Sequence, residues 1–411
     1  MTTTTARKDG VLTAYWPDPY RWLPAATLDA VEAGAEEADR AGRLNTEGLR
    51  ALVAAGYPGM PVPADFSGRG ASLAECCAVQ AALAERDPAL AIATNMHLFS
   101  VGIMVEQWNR RRDSSWFLLE AVASQNRLVA SAFAEPNLGG NVLRSSFRGA
   151  AEPGGYRFTG SKTPCSLATV ADLVCFQLET TDGELLVALL PMDAEGVSTA
   201  LSWDALGMRG SGSDTVRFTD CLVPDELVFH RSRPGTADDE AVAAGVVWFC
   251  LTTTATYLGV FGRALAEATA LLGRTRVHHL DARRADLPST HQTVGDVLTE
   301  MLTVQAACLG LAGRMGEGGA PDALLPHAVA VKQRCADAVT AAVGRLAECV
   351  GGMAFSRRTP YERLWRDAQA ARFHPPTPAA ARQYLGRSGL GLPTGLDLDE
   401  VAPALRREVA P

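Results

Sequence analysis

The sequence has no excess of positive charge. Its 411 residues include 38 lysines and arginines against 46 aspartates and glutamates, which gives a net charge of -8 at pH 7. Binding to a nucleic-acid backbone or to an anionic membrane surface requires a basic face that neutralises phosphate groups. The charge balance therefore argues against both as main partners, and we expect the protein to bind neither nucleic acid nor a membrane.

The sequence also lacks paired cysteine motifs. It contains nine cysteines, an odd number, with no C-x-x-C pair and with Cys76 and Cys77 as the only adjacent two. Zinc sites and redox motifs use short cysteine spacings, and disulfide-rich secreted proteins use even sets of cysteines. The pattern predicts reduced thiols, no metal site and a cytoplasmic protein.

One stretch, 241–262, contains no charged residue over about the length that spans a bilayer. Four threonines lie within it, and amphipathic helical patterns follow it. We therefore predict a buried central helix here, not a membrane span.

Short apolar runs alternate with turn signals between residues 131 and 228. The runs 173–176 and 185–190 lie between turns that contain glycine or proline, which is typical of strands in a compact antiparallel sheet. Helical patterns flank this region on both sides, and after it three long helices are predicted over 241–272, 293–315 and 323–350.

The fold class that follows is α+β and multidomain. Antiparallel packing of the three long helices would give a bundle. The predicted domains are an N-terminal helical domain over 1–128, a middle β domain over 129–235 and a C-terminal helical bundle with a short tail over 236–411.

Six short motifs are distributed along the chain. They are Ala134-Glu135-Pro136 with the following Gly139-Gly140, Gly160-Ser161-Lys162, Gly207-Met208-Arg209-Gly210-Ser211, Val223-Pro224, Gly351-Gly352-Met353-Ala354-Phe355 and Arg363-Leu364-Trp365-Arg366-Asp367-Ala368. In these motifs the chain resembles the acyl-CoA dehydrogenase superfamily over nearly its full length. The resemblance implies an N-terminal α-helical domain, a middle β-barrel domain and a C-terminal four-helix bundle, assembled as a homodimer or homotetramer.

The resemblance also implies FAD in a cleft between the β domain and the C-terminal bundle, with its ADP half reaching a neighbouring subunit. Ser166 stands where the family has a threonine whose hydroxyl hydrogen-bonds flavin N5, and Pro164 replaces a tryptophan that stacks beside the ring. The positions that correspond to cofactor contacts are Phe133, Ala134, Gly139, Gly140, Pro164, Ser166, Arg274, His291, Gln292, Glu348, Gly351, Gly352 and Thr377.

The catalytic base of the family has no counterpart in this sequence. Desaturation of an acyl thioester needs a base to remove the α-proton, and in the family a carboxylate does this. The two positions where the family places that carboxylate are occupied by Pro375 and, on the first long helix, by about Phe249. His374 is the best replacement, because an imidazole with an ordinary pKa of about 6.5 accepts a proton at neutral pH. We assign the role of base to His374 as a hypothesis.

The substrate pocket is expected between segments 88–97 and 246–251. His97 lies in the first segment, and Trp248 and Phe249 lie in the second. The two aromatic side chains would narrow the pocket, which predicts a short or branched acyl chain.

Three functions remain open. The main expectation is FAD-dependent α,β-desaturation of an acyl-CoA or acyl-carrier-protein substrate, with hydride transfer to flavin N5 and an electron-transfer flavoprotein as candidate redox partner. The first alternative is a flavin-dependent monooxygenase of the same fold, which needs no α-proton base. Such relatives tend to carry a histidine near His374, but also a Thr-His pair where this chain has Ala370 and Ala371. The second alternative is a redox-neutral flavoprotein that has lost the dehydrogenase base.

Overall fold

The computed structural model describes residues 12, 15–136, 138, 141–235 and 239–396. The N-terminal part is helical. Its last long helix begins at a proline, where a missing amide donor costs nothing, and Asp87 caps it by accepting hydrogen bonds from the amides of Ala89 and Leu90. The helices are α1 (Ala25–Ala41), α2 (Thr46–Ala54), α3 (Leu73–Arg86), α4 (Pro88–Arg111) and α5 (Trp116–Ser124).

The central part is one eight-stranded sheet. Its strands are β1 (Val129–Ala132), β2 (Arg148–Glu152), β3 (Gly155–Cys165), β4 (Leu173–Thr180), β5 (Leu185–Pro191), β6 (Val197–Ala200), β7 (Asp214–Pro224) and β8 (Val228–Ser232). Hydrogen bonds connect them in the order β6-β7-β3-β2-β4-β5-β8, and β1 also pairs with β4. Most pairings are antiparallel, as expected, but β1 and β2 each run parallel to β4. All eight residues of β4 are buried, so both of its faces are covered.

The C-terminal part is again helical. It contains α6 (Glu240–Arg274), a small hairpin of β9 (Arg276–Val277) and β10 (Ala282–Arg283), α7 (Pro288–Gly316), α8 (Pro321–Val350), α9 (Tyr361–Gln369) and α10 (Pro378–Gly389). The three predicted long helices are all present. The largest difference is at the start of α7, five residues earlier than predicted, because Pro288 supplies a first residue that needs no amide partner. The order of helical, sheet and helical domains confirms the predicted fold class.

Helix α6 is the central helix of the molecule. By length and composition α4, α6 and α7 could each cross a membrane, but α4 and α6 are buried almost throughout inside the protein, whereas α7 is largely exposed. Neighbouring helices approach α6 closely: a Cβ atom on Gly259 would lie 2.2 Å from the carbonyl oxygen of Ala81 in α3. The predicted buried central helix is confirmed.

Candidate functional site

A cavity of about 460 Å³ lies where the helical domains meet the sheet. Its volume falls within the range of about 300–1,000 Å³ that is typical of small-molecule sites. Helices α4 and α6 form its apolar end, and the ends of β1 and β3 form a wall that includes several hydroxyl groups. The residues that line it include Ile92, Met96, Phe99, Phe133, Ala134, Glu135, Pro164, Ser166, Trp203, Gly207, Met208, Ser211, Ser213, Val246, Phe249, Arg366, His374 and Pro375.

Three serine hydroxyls form a chain along one wall of the cavity. Ser166 Oγ lies 2.8 Å from Ser213 Oγ, and Ser213 Oγ lies 2.8 Å from Ser211 Oγ. Each hydroxyl carries a single hydrogen. The three hydroxyl hydrogens form only two hydrogen bonds among these serines. At least one hydrogen therefore remains to donate to a group bound in the cavity or to another neighbour.

Glu135 is the only carboxylate among the described residues that line the cavity, and its oxygens are already used. They accept hydrogen bonds from Lys162 Nζ and from the hydroxyls of Ser145 and Ser146. Burial alone would raise the pKa of Glu135, but the ammonium and the hydroxyl donors outweigh it and lower the pKa. Burial lowers the pKa of Lys162 to about 8 against the pull of Glu135, so at neutral pH the two form a buried ion pair.

His374 lies on the loop after α9 and faces the cavity. Its Nε2 atom is buried and has no hydrogen-bond partner among the described residues. Lys332 Nζ donates to the carbonyl oxygens of His374 and Pro376, and so fixes the loop. Burial, together with the charge of Lys332, lowers the pKa of His374 to about 3. The ring is therefore neutral, and it is a much weaker base than the ordinary imidazole assumed from the sequence.

Two elements that line the cavity are tied together beside it. The carboxylate of Asp367 in α9 accepts a hydrogen bond of 2.6 Å from the amide of Met208. Gly207 lies so close to α9 that a Cβ atom there would be 2.2 Å from the carbonyl oxygen of Arg366. Arg366 in turn binds both carboxylate oxygens of Asp39 in α1, at 3.0 and 2.7 Å. These contacts hold the loop that contains Gly207 and Met208 in a fixed position against α9.

The ionisation of Asp367 predicts a measurable pH dependence of stability. Burial raises the pKa of Asp367 to about 7, whereas an unfolded aspartate has a pKa of about 3.9. Between these values the folded state keeps a proton that the unfolded state has lost, so this residue makes stability fall as the pH rises from about 4 to about 7. An Asp367→Asn variant lacks this contribution.

We therefore expect the variant to gain stability relative to wild type by up to about 1.4 kcal/mol per pH unit across that window. Urea denaturation of both proteins at several pH values measures the difference. Two curves that stay parallel from pH 4 to pH 7 would contradict the expectation.

The structure brings together only part of the predicted cofactor set. Phe133, Ala134, Pro164 and Ser166 all line the cavity. The other described positions lie outside it, and Gly139 and Gly140 lie outside the described residues. The predicted positions outside the cavity are Arg274, His291, Gln292, Glu348, Gly351, Gly352 and Thr377.

Several of these outer positions have other structural contacts. His291 Nε2 lies 2.8 Å from the carbonyl oxygen of Ala285. Gly351 has a φ of 77° and packs against Arg284, whose guanidinium donates to the carbonyl oxygen of Cys349. Arg274, Gln292, Glu348 and Gly352 are exposed, and Thr377 is half-buried at the start of α10. Their cofactor roles stay predictions.

Two of the three predicted pocket residues do not line the cavity. Phe249 does, on the same face of α6 as Val246. His97 is buried elsewhere: Nδ1 accepts a hydrogen bond from the amide of Val129, and Nε2 lies 3.0 Å from the carbonyl oxygen of Pro58. Trp248 turns away from Phe249 and donates through Nε1 to Glu106. His97 and Trp248 therefore do not line this cavity, because a helix directs neighbouring residues to different sides.

Four residues at the site received no role from the sequence patterns. Ser211 and Ser213 belong to or follow a quoted motif, and Glu135 and Lys162 belong to two others, but spacing alone does not reveal that these residues meet. Among the described residues, no group of three or more His, Cys, Asp or Glu side chains could hold a metal ion. The candidate chemistry therefore rests on serine hydroxyls, one neutral histidine and a buried ion pair.

Comparisons with known proteins agree with this fold. Family models for the acyl-CoA dehydrogenase N-terminal domain and C-terminal domain match residues 26–109 and 245–377. Isobutylamine N-hydroxylase from Streptomyces viridifaciens is 29% identical over 339 residues, covering 80% of this chain and 85% of the relative. L-evernosamine nitrososynthase from a Micromonospora species is 29% identical over 390 residues, covering 90% and 89%.

A solved structure shows the same likeness. KijD3 in complex with FMN and dTDP-3-amino-2,3,6-trideoxy-4-keto-3-methyl-D-glucose superposes with a TM-score of 0.83 at 25% identity. The match covers 94% of this chain and 98% of that chain.

Proposed function

The chain belongs to the acyl-CoA dehydrogenase superfamily, and from that premise we propose that it is a flavin-dependent monooxygenase that oxidises the nitrogen of a small primary amine. The main expectation from the sequence, desaturation of an acyl thioester, has less support. The alternative of a monooxygenase with the same fold has more, both from the cavity and from the relatives named above.

The observation that carries the proposal is the lack of a free carboxylate among the described residues that line the cavity. Pro375 and Phe249, which occupy the family's two positions for the base, both line it. Glu135, the one carboxylate among the described lining residues, is occupied by Lys162 and two serines. With a pKa of about 3, His374 is a poor acceptor for an α-proton. Oxygen transfer needs no such base, so the same cavity is compatible with a monooxygenase.

The cavity suits a flavin ring, which is flat and apolar with a polar edge. Ser166, Ser211 and Ser213 supply hydroxyl groups on one wall, and Pro164 and Trp203 supply apolar surface. When bound and reduced, a flavin passes electrons to dioxygen and allows one oxygen atom to be transferred to a substrate. Ser166 and the backbone at Phe133 and Ala134 are the groups we propose to hold the polar edge.

The substrate end of the cavity favours a neutral amine. Ile92, Met96, Phe99 and Phe249 form an apolar wall, and no free carboxylate is available among the described lining residues to hold an ammonium ion. Desolvation lowers the pKa of an amine, so the cavity favours the form whose nitrogen lone pair can attack an electrophilic oxygen. The names of the relatives, isobutylamine N-hydroxylase and L-evernosamine nitrososynthase, support nitrogen as the oxidised atom.

In this function His374 acts as a hydrogen-bonding group. A neutral imidazole donates through one nitrogen and accepts through the other. Because its loop is held by Lys332, the ring can keep a hydrogen directed at the group bound beside it. We expect no role in the reaction for an acyl-CoA, an acyl-carrier protein or an electron-transfer flavoprotein, and a source of reduced flavin takes the place of that redox partner.

Oxygen consumption tests the proposed reaction directly. We expect oxygen uptake to depend on added reduced flavin and on a primary amine such as isobutylamine, with a hydroxylamine or a further oxidised nitrogen compound as product. Mass spectrometry identifies the product. As control, acyl-CoA thioesters of several chain lengths should not bleach the oxidised flavin under anaerobic conditions. Bleaching by a thioester, without amine oxidation, would contradict the proposal and favour an acyl-thioester dehydrogenase.

We predict that the flavin is FAD and that a homodimer or homotetramer binds it. Arg274, Gln292 and Glu348 are exposed in one copy of the chain and would be available to the ADP half of a cofactor shared with a second copy. Titration with FAD and FMN, followed by fluorescence, measures the preference. We expect FAD to bind about tenfold more tightly, which corresponds to about 1.4 kcal/mol, and equal affinities would contradict the prediction.

A further inference from the structure

A second, much smaller chamber lies beside the main cavity. Its volume is about 40 Å³, and Phe99, Phe133 and Val246 belong to the walls of both. Most of its other walls are apolar, but Gln177 and His230 also line it. Each of these two residues has one buried atom, Gln177 Oε1 and His230 Nε2, without a hydrogen-bond partner among the described residues.

The contacts of Gln177 determine which of its atoms is left over. Its Nε2 donates to the carbonyl oxygens of Phe133 at 2.8 Å, Arg144 at 3.2 Å and Val142 at 3.4 Å. Carbonyl oxygens only accept hydrogen bonds, so the amide nitrogen must face them and Oε1 must face away. Gln177, which lines the chamber, therefore keeps a buried acceptor without a partner among the described residues.

A similar chain of contacts orients His230. Gln107 Nε2 donates to the carboxylate of Asp113 at 2.6 Å, which leaves Gln107 Oε1 to accept from His230 Nδ1 at 2.9 Å. The hydrogen is thus on Nδ1, and Nε2 carries a lone pair. Burial lowers the pKa of His230 despite the nearby charge of Asp239. Asp239 Oδ1 is 3.7 Å from Nε2, which is too far for a hydrogen bond, and Arg111 pairs with the same carboxylate.

We propose that the small chamber is a binding site for one neutral group that donates two hydrogen bonds, one to Gln177 Oε1 and one to His230 Nε2. The volume of about 40 Å³ has room for a group of the size of water. Two acceptors without a donor match an OH₂ or NH₂ group and do not match dioxygen, which has no hydrogen to donate. The charge of Asp239 is already balanced by Arg111, so a cation is not favoured.

This site has two sources for its ligand. One is a resident water molecule, and the other is the amino group of an amine that reaches past Phe99 and Phe133. Gln177 Nε2 also donates a hydrogen bond to the carbonyl oxygen of Phe133. Phe133 belongs to the wall of the main cavity. The occupant of the chamber therefore supports the backbone at the point where we propose the flavin edge to bind, although the chamber itself does not depend on the proposed oxygenase activity.

Crystallography of the full chain tests the site. We expect a compact density peak in the chamber at about 2.7–3.2 Å from both acceptors, and no xenon there when the crystal is pressurised with that gas. After soaking with isobutylamine, an unchanged peak identifies resident water, and density continuous with the main cavity identifies the amino group. A dry chamber that takes up xenon, as apolar cavities do, would overturn the proposal.

Nitrogen-15 NMR of the histidines provides a measurement on the wild-type protein in solution. The sequence contains seven histidines, and the signal that disappears in a His230→Gln variant identifies His230. We expect a neutral ring with the hydrogen on Nδ1 and with Nε2 shifted as a hydrogen-bond acceptor. A hydrogen on Nε2 would overturn the proposal, because the chamber would then contain a donor. If the variant does not fold, the crystallographic test on the wild-type chain still decides.

Discussion

Replacing His374 by alanine is expected to lower kcat/KM for amine oxidation by about 10²-fold or more, the usual effect of removing a positioned hydrogen-bonding or proton-holding group. The ring lines the cavity, and its loop is fixed by Lys332. No other described lining residue offers an imidazole. Steady-state oxygen uptake with saturating reduced flavin measures the loss.

A matched control separates this effect from general damage. His327 is an exposed histidine in α8, and His327→Ala should leave kcat/KM unchanged. Both variants should bind oxidised flavin, which absorbance and fluorescence report independently of turnover. A His374→Ala variant with full activity would remove this residue from the proposed reaction.

The pH profile adds a second measurement to the same pair of proteins. Because burial and Lys332 lower the pKa of His374 to about 3, the ring stays neutral from pH 5 upward. We expect no inflection from this residue near its ordinary value of about 6.5 in the profile of kcat/KM. An inflection near pH 6.5 that disappears in His374→Ala would show that the ring titrates and would favour the base role first assigned to it from the sequence.

Replacing Lys162 by methionine is expected to lower the free energy of unfolding by about 3–5 kcal/mol. The side chains of Lys162 and Glu135 are 0% and 1% exposed, and the ammonium also lies 4.4 Å from the centre of the Phe147 ring. Methionine keeps much of the volume but leaves the carboxylate of Glu135 buried without a cation, with only the hydroxyls of Ser145 and Ser146 and the amide of Ser146 as donors among the described residues. Urea denaturation at pH 7 measures the change.

Two further variants test whether the unpaired charge is the cause. Adding Glu135→Gln to Lys162→Met removes the charge that was left over, so we expect the double variant to recover at least half of the lost stability. Arg40→Met breaks an exposed ion pair with Glu36 and Glu37 and should change stability very little. A double variant less stable than Lys162→Met would show that shape, and not charge, decides the effect.

Sequence patterns predicted the elements of the fold well and the contents of the site only in part. The long helices and the buried nature of 241–262 follow from apolar spacing and length, which are local properties of the chain. The parallel pairing of β1 and β2 with β4 depends on which distant segments meet, and spacing along the chain carries no such information. The same reason explains the serine chain, because Ser166 and Ser213 are 47 residues apart and touch only in the folded protein.

The sequence by itself determined that a sheet domain lies between two helical domains. Its resemblance to the family implied that Pro375 and about Phe249 stand where the base is expected, and it left His374 as the candidate beside them. Only the tertiary structure decided the ionisation state of that candidate, since burial and Lys332 keep its ring neutral. It also decided which predicted residues share one cavity. Helix rotation directs Phe249 into the cavity and Trp248 toward Glu106, and the fold pairs Glu135 with Lys162, because charge, burial and direction depend on neighbours that the chain supplies from far away.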